Sequence, residues 1–138
     1  MKLKLGGLKI EELKLYMINK SNNLKIIECP RDAMQGISNF IPTENKAKYI
    51  NSLLKVGFDI IDFGSFVSPK VVPQMRDTDK LINLLQLNDN TSLLSVVLNK
   101  RGALEASCFD QISFIGYPFS VSNIFQEKNS NKTIDESL

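Results

Sequence analysis

The segment that decides the fold has the sequence Ile26-Ile27-Glu28-Cys29-Pro30-Arg31-Asp32-Ala33-Met34-Gln35-Gly36. It begins as an apolar run and ends in a proline, two charged residues and then a glycine. Proline has no N–H to donate to a neighbouring strand, so the buried strand that we predict over residues 24–29 ends at Pro30. Such a strand delivers Arg31 and Asp32 to its own carboxyl end.

Two later segments repeat this design. They have the sequences Ile60-Ile61-Asp62-Phe63-Gly64-Ser65-Phe66 and Val96-Val97-Leu98-Asn99-Lys100-Arg101-Gly102. Each is an apolar run that is followed directly by polar residues and a glycine. Because β/α enzymes carry their sites at the carboxyl ends of parallel strands, these strand ends predict a shared site.

The apolar pattern predicts strands that alternate with helices. Strands are expected over 24–29, 58–63, 92–98 and 110–117, and loops over 31–42 and 120–132. Helices are expected over 44–56, with Thr43 as the N-cap, over 77–85 and over 102–109, and a further helix is expected to start at Thr133. This order indicates an α/β fold with a parallel sheet and right-handed crossovers. The sequence has neither a dinucleotide-binding fingerprint nor a phosphate-loop motif, so we predict a partial TIM barrel.

A complete (β/α)₈ barrel needs about 250 residues, and this chain has 138. The fold class is therefore predicted as about half a barrel, truncated after four units. Residues 24–138 are expected to form these first four β/α units. Residues 1–23 do not fit the pattern and are predicted to be an N-terminal extension or linker.

Composition excludes several classes of function. The net charge is +2 with interspersed charges, which argues against nucleic acid as a partner. No apolar run is long enough to span a membrane, and charged residues interrupt any secretory signal, so the expected location is cytoplasmic. Cys29 and Cys108 suit a reducing compartment. The chain has no histidine, so it cannot by itself make a Ser-His, Cys-His or His-ligated metal site.

The charged residues at the strand ends each allow two interpretations. Arg31 can bind a carbonyl or carboxylate oxygen and Asp32 a hard divalent metal, but the two can equally form a surface pair that caps a turn. Asp62 lies in an apolar run, where burial is costly without a partner. It either pairs with Arg31 and orients it, or begins the next loop in contact with water.

The neutral candidates also have structural alternatives. Ser65 can bind a substrate carboxylate or phosphate, or only supply hydrogen bonds in a turn. Asn99 ends the third strand, where its amide can bond a substrate carboxyl group. Cys29 is expected to be a small buried apolar residue within the first strand, not a nucleophile, since the chain has no histidine base.

Several motifs together resemble the 3-hydroxy-3-methylglutaryl-CoA lyase family of metal-dependent TIM-barrel lyases. They are Glu28-Cys29-Pro30-Arg31-Asp32-Ala33-Met34-Gln35-Gly36, Ile41-Pro42-Thr43-Glu44, Gly64-Ser65-Phe66-Val67-Ser68-Pro69-Lys70 and Val72-Pro73-Gln74-Met75. The resemblance covers the N-terminal portion of that family and runs from about Leu24 to the end of the chain. The Arg-Asp turn alone is shared with related Claisen-type enzymes, such as isopropylmalate and homocitrate synthases.

The resemblance implies a role for each candidate. Asp32 is a ligand of a divalent metal, Mg²⁺ or Mn²⁺, and Arg31 contacts the thioester carbonyl and stabilises the enolate. Asp62 stands where most members have Glu and orients Arg31. Substrate-side contacts are implied for Gln35, Ser65 and Asn99. The implied reaction is a retro-Claisen cleavage of an acyl-CoA substrate to acetyl-CoA and acetoacetate, in an enzyme that is a homo-oligomer at full length.

The family's remaining metal ligands and its catalytic cysteine lie in the second half of the barrel, which this chain does not match. We therefore expect a fragment, or a remnant, that is inactive alone. Two alternatives stay open. One is a related Claisen-type acyltransferase, and the other is a non-catalytic half-barrel module that needs a partner chain.

Overall fold

The computed structural model describes residues 24–137 and contains one sheet of four parallel strands in the order β1-β2-β3-β4. The strands are β1 (Ile27–Glu28), β2 (Ile60–Ser65), β3 (Ser92–Val96) and β4 (Ile112–Gly116). The helices are α1 (Pro30–Gln35), α2 (Thr43–Leu54), α3 (Thr78–Ile82), α4 (Lys100–Ala106), α5 (Asn123–Ser130) and α6 (Ile134–Ser137), with a 3₁₀ turn at Pro73–Met75. The predicted alternation in a parallel sheet is confirmed. The predicted extension, residues 1–23, lies outside the described residues.

Two segments that were predicted as loops contain helices. The predicted loop 31–42 begins inside α1, because Pro30 occupies the first helical turn, where its missing N–H costs no hydrogen bond. The predicted loop 120–132 contains α5, which begins after its N-cap Ser122 and ends at Asn131 in the left-handed conformation. Both predictions were wrong because these helices are short and largely exposed, so that no apolar period marks them in the sequence.

The first strand is shorter and less buried than predicted. Only Ile27 and Glu28 pair with β2, and Ile26, Ile27 and Cys29 are exposed. The expectation of a buried strand containing a buried Cys29 was therefore wrong. The reason is position: β1 lies at the edge of the sheet, whereas the apolar run suited a central strand. No helix in residues 24–137 is long and apolar enough to cross a membrane.

The core lies between one face of the sheet and helices α2 and α3. Its fully buried members come from both layers: Ile61 and Phe63 of β2, Leu93 of β3, Ile50 and Leu54 of α2, and Leu81 and Ile82 of α3. These residues recur at helical spacing in α2 and at alternate positions in β2, as an amphipathic helix and a covered strand require. The opposite face of the sheet is free to present polar groups.

An irregularity in β2 decides which way Ser65 points. Asp62 lies opposite Leu94 of β3, but Gly64 lies opposite Ser95 and Ser65 opposite Val96. In a regular strand Ser65 would share the helix-covered face, since side chains alternate. The bulge between Asp62 and Gly64 instead turns Ser65 to the face of Asp62. Gly64 suits this position because an added Cβ would lie 2.7 Å from the Thr78 side chain.

A buried ion pair joins α2 to the start of α3. Lys46 of α2 is 0% exposed, and its ammonium group lies 2.6 Å from a carboxylate oxygen of Asp77. It also donates to the carbonyl of Gln74 and faces the ring of Phe40 at 4.2 Å from the centroid. Thr43, which was predicted as the N-cap of α2, is its first helical residue and donates to the other Asp77 oxygen at 2.7 Å. The sequence did not indicate this network.

The side chain of Gln74 holds the loop that follows α1. Its carbonyl oxygen accepts from the N–H of Ile41 at 2.8 Å. Its amide donates to the carbonyls of Ile37 and Asn39 at 2.9 and 3.0 Å. The side chain is buried, so each of these bonds replaces water that the loop backbone would otherwise need. The Pro-Gln-Met motif therefore has a structural purpose in this chain.

We predict that Gly102→Ala destabilises the protein by about 1–3 kcal/mol. An added Cβ would lie 2.7 Å from the carbonyl oxygen of Phe66, which is backbone and cannot rotate away. This clash outweighs the better helix propensity of alanine within α4. Urea unfolding followed by circular dichroism measures the change.

Gly36→Ala is the matched control, because nothing lies within 4 Å of an added Cβ there and the backbone is right-handed helical. It should leave stability unchanged or raise it slightly. Equal losses in the two variants would contradict the steric explanation.

Candidate active site

Arg31, which follows β1 at the start of α1, forms a largely buried ion pair with Asp62 in the middle of β2. The Arg31 Nη2 donates to Asp62 Oδ2 at 2.6 Å, and Nε contacts both carboxylate oxygens, Oδ1 at 3.2 Å and Oδ2 at 3.1 Å. The Asp62 residue is only 4% exposed. The structure therefore decides between the two interpretations of Asp62: it pairs with Arg31 and is not a solvated loop residue. Two parallel contacts orient the guanidinium plane as well as its charge.

Helix α1 adds two further groups to this pair. Arg31 Nη1 donates to Asp32 Oδ1 at 3.1 Å and to Gln35 Oε1 at 2.9 Å. The Gln35 amide in turn donates to Asp32 Oδ1 at 2.9 Å. Residues three and four apart are neighbours on a helix surface, so the helical conformation brings Gln35 to both charged groups. The segment that was predicted as a loop thus assembles the candidate site through its helical spacing.

Burial acts on the pKa values of Asp62 and Arg31 in opposite directions. Burial raises the pKa of the Asp62 carboxyl group above its ordinary value, and the hydrogen bonds and charge of Arg31 work against this shift. Desolvation acts to lower the pKa of Arg31, but hydrogen bonds and the charge of Asp62 outweigh it, so that this pKa is raised. The guanidinium is therefore a permanent positive charge at this position.

A cavity of about 670 Å³ lies beside the pair at the carboxyl ends of the strands. Its polar wall contains Arg31, Asp32, Gln35 and Ser65, and its apolar wall contains Val67, Val71, Val72, Val96, Leu98, Tyr117, Phe119 and Phe125. The Ser65 hydroxyl accepts from the N–H of Val67 at 3.1 Å. An apolar cavity with a few convergent polar groups is the usual form of a small-molecule site. Four of the six predicted site residues line the cavity, and a fifth, Asp62, is hydrogen-bonded to the lining residue Arg31.

Asn99 is the predicted site residue that the structure places elsewhere. It is absent from the lining of this cavity, and its side-chain oxygen accepts from the N–H of Gly102 at 3.0 Å. It is the N-cap of α4, a position at which asparagine is strongly favoured. Its predicted substrate contact is therefore not supported by a shared location and stays a prediction.

Cys29 lies near the site but is not suited to nucleophilic attack. Partial desolvation of its thiol and the nearby charge of Asp62 raise its pKa, although the residue as a whole is exposed. The thiol form is unreactive compared with the thiolate. The sequence-based expectation that Cys29 is no nucleophile is consistent with this environment.

Gln126 of α5 is a cavity residue that sequence reasoning missed. It is buried, its carbonyl oxygen accepts from the N–H of Ser120 at 2.9 Å, and its amide donates to the hydroxyls of Ser130 and Ser137 at 3.1 and 2.9 Å. These bonds connect the loop after β4 to α5 and α6. The N-cap Ser122 could have marked this helix, and with it Gln126, in the sequence.

The residues of 24–137 do not by themselves fit a complete divalent-metal site. They contain no group of three or more His, Cys, Asp or Glu side chains that could hold a metal ion. Asp32 is the exposed carboxylate of the cavity, with 64% of its side chain accessible, and it already accepts bonds from Arg31 and Gln35. One carboxylate is too few ligands for Mg²⁺ or Mn²⁺ to be held tightly.

Comparison with known proteins gives a consistent set of relatives. No family model matches the chain. The mitochondrial hydroxymethylglutaryl-CoA lyase of Bos taurus is 36% identical over 118 residues, which are 83% of this chain and 35% of that enzyme. The hydroxymethylglutaryl-CoA lyase of Bacillus subtilis is 34% identical over 112 residues, or 79% of this chain and 36% of the enzyme. The chain thus spans about a third of the length of the curated relatives it matches.

Solved structures of the same enzymes superpose on this fold. The HMG-CoA lyase of Acinetobacter baumannii, in complex with coenzyme A and 3-methylmalate, matches with a TM-score of 0.78 at 30% identity. The match includes 83% of this chain and 37% of the Acinetobacter enzyme. The Bacillus subtilis HMG-CoA lyase matches with a TM-score of 0.77 at 33% identity and 38% coverage. The chain is therefore homologous to the HMG-CoA lyases, and its four β/α units correspond to the N-terminal part of their TIM barrel.

Proposed function

We propose that this chain contributes the carbonyl-binding part of a lyase site that cleaves 3-hydroxy-3-methylglutaryl-CoA to acetyl-CoA and acetoacetate. The observation that carries the proposal is the Arg31 guanidinium, held by the buried Asp62 beside a cavity at the strand ends. Homology to lyases supports the reaction class. The Acinetobacter relative was solved with coenzyme A, which supports an acyl-CoA as the substrate.

In this proposal Arg31 acts where negative charge develops. When the carbon–carbon bond breaks, its electron pair moves into an enolate whose charge rests on the thioester oxygen. A fixed guanidinium beside that oxygen stabilises the enolate more than the neutral carbonyl, which lowers the barrier. Asp62 is the positioning residue, because its bonds to Nε and Nη2 hold the guanidinium plane. The side-chain oxygen of Gln35 accepts a hydrogen bond from Nη1, the guanidinium nitrogen that does not bond Asp62.

The other predicted roles belong to the same proposal. Asp32 is proposed as one ligand of a divalent metal, Mg²⁺ or Mn²⁺, whose further ligands come from outside residues 24–137. Gln35, Ser65 and Asn99 are proposed as substrate contacts, of which Gln35 and Ser65 line the cavity. We also propose that the full-length enzyme is a homo-oligomer and that it is located in the cytoplasm. The relatives include both a mitochondrial and a bacterial enzyme, so the compartment differs within this group.

A chimera tests the proposed function. Residues 24–137 replace the matched segment of the Bacillus subtilis lyase, and acetoacetate release from 3-hydroxy-3-methylglutaryl-CoA is measured. We expect lyase activity that EDTA abolishes and that added Mg²⁺ or Mn²⁺ restores. The 138-residue chain alone should release no acetoacetate, because its residues 24–137 contain no cluster of three or more side chains that could hold a metal ion.

The unmodified Bacillus enzyme is the positive control, and circular dichroism establishes that the chimera is folded. A folded chimera without activity would contradict the proposal. Acetoacetate release by the 138-residue chain alone would contradict the expectation that it is an incomplete site.

A further inference from the structure

A second cavity lies beside the cavity of the candidate active site, which we call the first cavity. It has a volume of about 420 Å³, and all of its lining residues belong to the segments 65–79 and 101–109. Ser65 and Val67 line both cavities, so this part of the chain separates the two spaces. Apart from Ser65, no residue with a role in the proposed chemistry lines the second cavity, so that chemistry does not account for it.

Part of the lining of the second cavity is apolar. Its apolar residues are Phe66, Val67, Pro69, Met75 and Phe109. The rings of Phe66 and Phe109 lie 5.6 Å apart between their centroids in a tilted arrangement, and Met75 is buried. Aromatic rings and a thioether make favourable contacts with a further apolar group, particularly with another aromatic ring. This part of the lining suits an apolar portion of a ligand.

Charged side chains of both signs complete the lining: Arg76, Arg101, Asp79 and Glu105. Arg101 and Glu105 neutralise each other, because Arg101 Nη1 lies 2.6 Å from a carboxylate oxygen of Glu105. The ion pairs within residues 24–137 include neither Arg76 nor Asp79. One positive and one negative charge are therefore left to interact with a ligand.

Arg76 is held in place by an aromatic ring instead of a carboxylate. Its guanidinium carbon lies 3.8 Å from the centre of the Phe40 ring, and Lys46 Nζ lies 4.2 Å from the same centre. A guanidinium at this distance is attracted by the π electrons of the ring. The contact uses none of the five N–H donors in a hydrogen bond, so they stay available for a carboxylate. Because Arg76 is already held, less side-chain entropy is lost when an anionic group binds.

We propose that the second cavity binds an α-amino acid with an apolar side chain. The carboxylate of the ligand binds Arg76, its ammonium group binds Asp79, and its side chain contacts the apolar lining. A zwitterion matches this balance of charges, whereas a simple anion would also face Asp79 and a simple cation would also face Arg76. The volume of the second cavity is typical of a small-molecule site. The inference does not depend on the lyase reaction, so binding tests it separately.

Titration of the 138-residue chain with L-phenylalanine, followed by saturation-transfer NMR, tests the proposal. We expect saturable binding with a Kd of about 1 mM, as for a small ligand with two charged contacts. The analogue 3-phenylpropionate lacks the ammonium group and 2-phenylethylamine lacks the carboxylate. Each analogue should bind about tenfold more weakly, because one charge-assisted hydrogen-bonded contact is lost. The same titration of the folded chimera provides a second measurement.

Variants locate the ligand. Arg76→Gln and Asp79→Asn each remove one charge, and each should weaken phenylalanine binding about tenfold. Both positions are exposed, so we expect the variants to fold, which circular dichroism establishes. Lys80→Gln, next to Asp79 but outside the lining, is the matched control and should leave the Kd unchanged. Phe125→Ala alters only the first cavity and should also leave it unchanged.

Three outcomes would overturn the proposal. The first is the absence of saturable phenylalanine binding up to about 20 mM, well above the expected Kd. The second is equal binding of phenylalanine and 3-phenylpropionate, which would exclude a role for the ammonium group. The third is loss of binding in Phe125→Ala with unchanged binding in Arg76→Gln, which would place the ligand in the first cavity.

Discussion

Replacing Asp77 with alanine is expected to lower the free energy of unfolding by about 3–5 kcal/mol, the cost of breaking a buried ion pair from one side. The ammonium group of Lys46 is fully buried and lies 2.6 Å from Asp77. Without the carboxylate, this charge stays in an apolar environment with the Gln74 carbonyl and the Phe40 ring as its neighbours. Urea unfolding followed by circular dichroism measures the loss.

The double variant Lys46→Met with Asp77→Leu separates charge from packing. It removes both partners and keeps apolar volume, so it should recover most of the lost stability, as replaced buried ion pairs often do. The single variants Lys46→Met and Asp77→Leu complete a double-mutant cycle, whose interaction energy measures the coupling between the two side chains. A loss below about 1 kcal/mol for Asp77→Ala would show that the pair is hydrated in solution, because exposed pairs contribute no more than that.

The second large effect is expected at Arg31. In the active chimera, Arg31→Met should lower kcat by about 10²–10³-fold, the usual consequence of removing one donor to a developing oxyanion. Arg31→Lys should not restore the activity, because an ammonium group cannot make the two parallel contacts that Asp62 receives from Nε and Nη2. The measurement is kcat and KM for 3-hydroxy-3-methylglutaryl-CoA.

Stability must be followed beside these rates, because Arg31→Met leaves the buried Asp62 carboxylate unpaired. Arg31→Met with Asp62→Leu removes that penalty and should regain stability without regaining kcat. Asp62→Asn should lower kcat less than Arg31→Met does, since it loosens the guanidinium without removing it. A rise in KM at unchanged kcat for Arg31→Met would contradict a role in the enolate-forming step, since it would indicate uniform binding only.

The pair between Arg31 and Asp62 could be anticipated from the sequence for a general reason. Strands that alternate with helices run parallel, so their carboxyl ends meet at one edge of the sheet. A carboxylate within the apolar run of β2 needs a partner, and the nearest cation at that edge is Arg31. Secondary structure and the chemistry of the sheet edge were enough to predict this pair, although the sequence alone also allowed a solvated Asp62.

Gln35 and Ser65 show where sequence reasoning stopped. Gln35 reaches Arg31 and Asp32 because α1 is helical, but a six-residue, largely exposed helix leaves no apolar period to detect. Ser65 faces the cavity because of a bulge in β2, and a bulge depends on the neighbouring strand. Asn99 has the right residue type and position, yet its oxygen bonds the nearby N–H of Gly102.

Local sequence patterns were sufficient to predict the parallel β/α architecture, and they also indicated the strand ends and charged residues of the candidate site. These features follow from periodicity and from the cost of burying polar groups, which are properties of short segments. The burial of Lys46, the position of β1 and β4 at the edges of the described sheet, and the side chains that share a face became evident only in the folded chain. Burial and register depend on residues far apart in the chain, and local patterns do not contain that information.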